Sequence, residues 1–131
     1  MKKLLWITCA LLLLVACTND TKLSDAYDEE TLEAKSLDAV TIFLEGEYEK
    51  LRAMGDDNFK KALTDEALDG AKKVIEPAGK WIDISELEVS GLKKDDTDYA
   101  VAVLKVHFEK GSHVFTVIFA PESVVTGFFV K

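Results

Sequence analysis

Cysteine and histidine are almost missing from this chain: Cys9, Cys17, His107 and His113 are the only ones among 131 residues. Two cysteines that far from any histidine leave no zinc-type ligand spacing and no disulfide framework. Basic residues are outnumbered 16 to 24, for a formal charge of −8. Nucleic-acid binding needs clustered Lys and Arg, so that class is excluded, and peripheral attraction to anionic lipid is disfavoured for the same reason. There is no Gly-rich phosphate loop and no Ser nucleophile elbow. The apolar run Leu4–Ala16 is 13 residues long, short of the ~20 needed for a permanent membrane span. No metal, cofactor or catalytic residue is assigned from these patterns.

What is present at the N-terminus is an export pattern. Met1-Lys2-Lys3 is a basic start and Leu4–Ala16 an uncharged core, the order of a signal peptide. Leu14-Val15-Ala16-Cys17 resembles a bacterial lipobox, in which a diacylglyceryl group is placed on the thiol and the chain is cut between Ala16 and Cys17. Ordinary cleavage after Thr18 is the competing reading, because cleavage after Ala16 by that route would need a small residue where Leu14 stands. Lipobox processing removes residues 1–16 and Cys9 with them, leaving 115 residues with Cys17 as the sole cysteine and 14 basic against 24 acidic side chains. Two acyl chains anchor stably where one does not. The expectation is therefore an extracytoplasmic protein held to the cell membrane by lipid on Cys17.

Residues 17–28 are polar and acidic and read as a tether. From residue 29 to 131 the pattern is that of one domain. Leu32, Leu37, Val40, Phe43, Leu44 and Leu51 recur at helical spacing, with a break at Gly46. Gly55-Asp56-Asp57-Asn58 reads as a stop. Thr64 is an N-cap with Asp65 and Glu66 in the first turn, and Pro77 with Gly79 ends that helix. Beyond Lys80 the period is two. Strands are expected at 81–91, 99–109, 113–120 and 124–130, joined by a charged turn at 93–98, by Gly111-Ser112 and by Pro121-Glu122. Helices followed by an antiparallel meander indicate the α+β class.

Those turns predict the faces of the sheet. Phe108 would pair with Phe115, Val106 with Val117, Leu104 with Phe119, Phe119 with Val124, and Phe115 with Phe128, making one face for the helices to cover. The other face would carry Val101, Val103, Val114, Ile118, Val125 and Phe129 beside Lys105, His107 and Thr116. That is too apolar for a solvated face, so a homodimer through it is expected, unless the N-terminal segment or sheet curvature hides it.

The stretches "LEGEYEKLRAM", "DDNFKKALTDEAL" and "DYAVAVLKVHFEKGSHVFTVIF" resemble the secreted domain of unknown function 3887, over about residues 30–131. That family is related to the nuclear transport factor 2-like superfamily. The resemblance implies a cone-shaped roll, with N-terminal helices packed on a curved antiparallel four-stranded sheet. It also implies an envelope protein, more often Gram-positive. The partner expected, apart from that resemblance, is an unknown envelope protein or a small apolar ligand. Some superfamily members are isomerases or dehydratases with Asp, His or Tyr inside the cone, which makes Tyr48, Asp83 and His113 the candidate pocket residues. His107 and His113 should lie on opposite faces and form no dyad. Asp95-Asp96-Thr97-Asp98 and Asp56-Asp57-Asn58 lack calcium-loop spacing. The first expectation is a non-catalytic binding domain. The alternative is an enzyme using the cone interior, which requires that Leu44, Leu51 and Ile75 leave the interior unfilled.

Overall fold

The computed structural model describes residues 22–131. The leader, Cys17 and the first part of the tether lie outside the described residues. Asp28 starts the first helix, its carboxylate accepting from the Thr31 amide (3.2 Å) and the Thr31 hydroxyl (2.6 Å). This satisfies an amide that has no partner within the helix, and Glu29 and Glu30 favour the positive end of the dipole. The helix, α1 (Glu29–Leu44), buries Leu32, Ser36, Ala39, Val40 and Phe43. Ser36 is tolerated there because its hydroxyl donates to the Glu33 carbonyl at 2.9 Å. Leu37, expected on this stripe, is 37% exposed, since it sits one helical step round from Ser36.

After Gly46 comes α2 (Tyr48–Ala53). The expected stop at 55–58 does end α2, and it also starts a helix that was not expected, α3 (Asp57–Ala62), because Asp56 accepts from the Phe59 amide at 2.8 Å and Phe59 is buried. The backbone approaches β4 closely here: Asp56 N–H donates to the Val125 carbonyl (3.3 Å) and Val125 N–H to the Met54 carbonyl (3.2 Å). A Cβ at Gly55 would lie 2.6 Å from the Val125 carbonyl oxygen, so only glycine fits. Thr64 caps α4 (Asp65–Ile75) through the Ala67 amide at 3.1 Å, and Pro77 lies in the 3₁₀ turn that ends it, as expected.

Four strands follow in the order β1 (Trp81–Lys94), β2 (Thr97–Phe108), β3 (Gly111–Ala120) and β4 (Val124–Val130), all antiparallel. The α+β class and the helices-then-meander order agree with the sequence. The turns do not. The β1–β2 turn is only Asp95-Asp96, both left-handed at φ 50° and 64°, a type I′ geometry that Asp tolerates. The β2–β3 turn is Glu109-Lys110 rather than Gly111-Ser112. Its amides are held from outside the hairpin: Glu109 N–H donates to the Lys80 carbonyl (2.9 Å) and Lys110 N–H to that of Ala78 (2.8 Å). Phe115 therefore faces Leu104, and Val117 faces Ala102. The slide moves each partner by four residues, an even number, so the faces survive although the pairs do not.

The β3–β4 connection takes three residues, Pro121–Ser123, with Glu122 and Ser123 left-handed. A register slip follows between Ile118 and Phe119. Val125 thus faces inward and is fully buried, which corrects its expected place on the outer face. The bulge lets Val125 and Phe128 share the inner side with Phe115, Val117 and Phe119.

Phe43 of α1 packs against this side, its ring 5.8 Å from Phe115 and 5.3 Å from Phe128. Residues 22–28 also lie on the inner side. A Cβ at Gly91 would fall 2.3 Å from the Lys22 carbonyl oxygen. Tyr27 is buried, its hydroxyl donating to the Asp98 carbonyl at 2.6 Å. The end of the expected tether is thus docked on the domain. Burial, and after it Asp98 and Tyr99, push the Tyr27 phenol above its usual range. The folded state therefore holds that proton more tightly than the unfolded chain does. The stabilisation is complete below about pH 10 and fades as the pH rises through the folded value. Tyr27→Phe should cost about 0.5–1.5 kcal/mol in urea unfolding at pH 7 and lessen the alkaline fall in stability, whereas Phe43→Ala should cost about 3–5 kcal/mol.

Candidate functional site

The three residues expected to share a pocket do not meet. Tyr48 stacks on Phe43 (6.4 Å between centroids) and donates to Asp69 Oδ1 at 3.3 Å. Burial and the Asp69 hydrogen bond raise its phenol above the ordinary range. His113 sits edge-on to Phe108 at 5.5 Å, with Nδ1 3.1 Å from the Lys131 carbonyl oxygen. Asp83 points to the other side of the sheet, where its Oδ1 lies 3.2 Å from His107 Nδ1. The interior is occupied by side chains. Leu51, Phe43, Leu104, Phe115 and Phe119 are fully buried and Ile75 is 6% exposed. Leu51 is packed among these rings, whereas Leu44 and Ile75 border an open hollow at the end of the roll, so the three residues do not together close the interior.

The open space lies at the rim. A hollow of about 610 Å³ opens at the end of the roll where α4 leads into β1. Leu44, Ile75, Trp81 and Phe108 supply its apolar wall, and Lys72, Glu76, Lys80 and Glu109 its charged rim. Two rim groups are already engaged. Lys72 Nζ donates to the Leu44 carbonyl at 3.1 Å and lies 5.5 Å from the Phe43 ring centre, while Glu109 accepts from the Lys80 amide at 2.8 Å. These bonds hold the rim in place around Trp81, which stays 42% exposed. An exposed indole over an apolar wall, with fixed polar groups around it, suits a small amphipathic molecule. The sequence contained this signal as Lys80-Trp81 next to the Pro77–Gly79 break, but the helix end that completes the wall comes from tertiary packing.

The outer face of the sheet divides along the strands. At the end near the β2–β3 turn it carries Asp83, His107 and Ser112, then Glu86, Lys105 and Val114. Farther along it carries Val103 with Thr116 and Phe129, then Val101 with Ile118. Phe129 is 58% and Val103 39% exposed. Residues 22–28 do not cover this apolar half, since they lie on the inner side. Among the described residues no cluster of three His, Cys, Asp or Glu could hold a metal, and no helix is long and apolar enough to cross a membrane.

Residues 36–128 match the family described as Protein of unknown function (DUF3887). The chain belongs to this family. The DUF3887 match runs from within α1 to Phe128, the last buried core residue of β4, so it takes in the mouth and both faces of the sheet and leaves Cys17 outside. The fold is similar to the NMR structure of a protein from Ruminococcus gnavus ATCC 29149, with a TM-score of 0.74 at 20% identity, covering 83% of this chain and 96% of that one. At that identity the likeness shows the fold alone. A search of curated proteins gives no match.

Proposed function

We propose that this DUF3887 protein is a lipid-anchored extracytoplasmic binding domain that presents a ligand mouth away from the membrane. The observation that carries the reading is the position of the mouth at the opposite end of the sheet from the entry of the chain. Residues 22–28 dock near the Asp95-Asp96 and Pro121–Ser123 turns, and Trp81 and Phe108 line the mouth at the far end of β1 and β2. β2 spans 12 residues, roughly 35 Å of strand. Five residues from Cys17 to Lys22 reach at most about 18 Å. The acidic turns then lie toward the bilayer, and the hollow lies toward the outside. The ligand is a small apolar or amphipathic molecule stacked on Trp81. Replacing Cys17 by Ala should abolish palmitate labelling and move the protein from the membrane pellet to the supernatant; a labelled, pelleting C17A protein would overturn the anchor.

Trp81 is the only tryptophan after residue 16, so its fluorescence reports on the mouth. Titration with 1-anilinonaphthalene-8-sulfonate should quench Trp81 with saturation, and Phe108→Asp should weaken binding about tenfold or more. Equal, unsaturable quenching in both proteins would remove the mouth as a binding site.

A second copy is the partner favoured for the apolar half of the outer face, because Val101, Val103, Ile118 and Phe129 form a continuous patch with no cover from the described residues. Half-buried Val114 borders it. Native mass measurement of the detergent-purified protein should give a dimer that Phe129→Glu converts to monomer. A strictly monomeric parent protein would exclude this pairing.

A further inference from the structure

The polar half of the outer face holds an arrangement that the ligand mouth does not use. β1 carries two extra residues relative to β2: the register slips between Trp81 and Asp83, and again between Ile84 and Glu86. The bulges fall at Ile82 and Ser85. Re-aiming a side chain is a common consequence of a bulge, and here Asp83 and Ser85 both come to His107 on the neighbouring strand. Asp83 Oδ1 is 3.2 Å from His107 Nδ1, and Ser85 Oγ is 3.1 Å from His107 Nε2. With Nδ1 facing the Asp83 carboxylate, the Nδ1-protonated tautomer of His107 is the one that leaves the Nε2 lone pair to the Ser85 hydroxyl. The other partner of that hydroxyl, the Lys105 carbonyl, is at 3.5 Å, the limit of a hydrogen bond.

We infer that Ser85, His107 and Asp83 form a nucleophilic acyl-transfer site that hydrolyses small, unhindered esters. The connectivity is that of carboxylate, imidazole and hydroxyl acting in series, which is recognised by geometry and not by chain order. Ser85 Oγ bonds to the ester carbonyl carbon as its proton passes to His107 Nε2. The carbon–oxygen bond to the alcohol breaks and the alcohol leaves with that proton. Water then attacks the acyl-serine, again giving its proton to Nε2, and the departing Ser85 oxygen recovers it as the carboxylic acid is released. Asp83 is the positioning residue that keeps Nε2 free.

The surroundings suit this chemistry. β1 is an edge strand, whose outward amides have no strand partner and are available as donors to a developing oxyanion. A hollow of about 320 Å³, floored by Val103 and Val114 and rimmed by Glu86, Glu88 and Lys105, adjoins the site along β1 and β2 and can take a short acyl chain. The substrate is unhindered because all three side chains reach solvent; those of Asp83 and His107 are 63% and 43% exposed.

The test is labelling of the purified full-length protein with a fluorophosphonate probe, read by peptide mass spectrometry, together with hydrolysis of p-nitrophenyl butyrate. An adduct on Ser85, absent in Ser85→Ala and unchanged in Ser90→Ala, is expected. The labelling rate should rise with pH through one ionisation, fall about 100-fold or more in His107→Gln, and lose that ionisation in the same variant. Asp83→Asn should slow it with the fold intact by circular dichroism. No adduct at Ser85, or an adduct formed equally fast in His107→Gln, would overturn the proposal.

Discussion

Phe43 is the contact around which the molecule is assembled. It projects from the last turn of α1 into the concave side of the sheet, where Phe115 and Phe128 meet it at 5.8 and 5.3 Å, while Tyr48 stacks on its remaining face. One ring therefore joins α1, α2, β3 and β4. Lys72 from α4 adds its ammonium 5.5 Å from the same ring, an arrangement in which the cation gains from the ring quadrupole while donating to the Leu44 carbonyl. With that volume filled, the interior around Phe43 is packed, and hollows lie beside Trp81, beside Tyr27, beside Tyr48 and on the convex side.

This filling decides where function can reside. Close-packed interiors leave few voids larger than water, so the open spaces of this domain are surface hollows, among them the mouth beside Trp81 and one on the outer face of the sheet. Two of the four charged groups that frame the mouth, Lys72 and Glu109, are already tied to backbone, which pre-orders that part of it. The outer face has no such framing and is divided into an apolar half near the chain entry and a polar half near the β2–β3 turn. Three surfaces thus coexist on one small domain: the mouth, the apolar patch and the Ser85–His107–Asp83 cluster, the last two meeting at Val103.

The bulges of β1 matter more than their size suggests. Without Ile82 and Ser85 as extra residues, strict alternation would send Ser85 and Asp83 to one face, but in a register that shifts His107 away from both. The extra residues curl the edge strand and bring both side chains around one imidazole. Nothing in Trp81-Ile82-Asp83-Ile84-Ser85 announces this, because a bulge in an edge strand follows from how the sheet twists under the helices. The same holds for the β2–β3 turn. Gly111-Ser112 is a suitable hairpin pair locally, yet the carbonyls of Ala78 and Lys80 claim the amides of Glu109 and Lys110 and move the turn by two residues.

Periodicity and capping chemistry by themselves determined the α+β class, the order of elements, the caps at Thr64 and the 3₁₀ stop at Pro77, and the core face of β2 and β3. These depend on a residue and its near neighbours, and an even register slide leaves a face unchanged. The helix at Asp57 was missed because Asp56 reads equally well as a turn residue or a cap until Phe59 is seen to be buried. Only the tertiary structure decided that Val125 turns inward, that Tyr27 docks residues 22–28 on the domain, and that Asp83 meets His107 and not His113. Each of those depends on a bulge, a loop length or a distant carbonyl, and their energies come from partners far away in the chain.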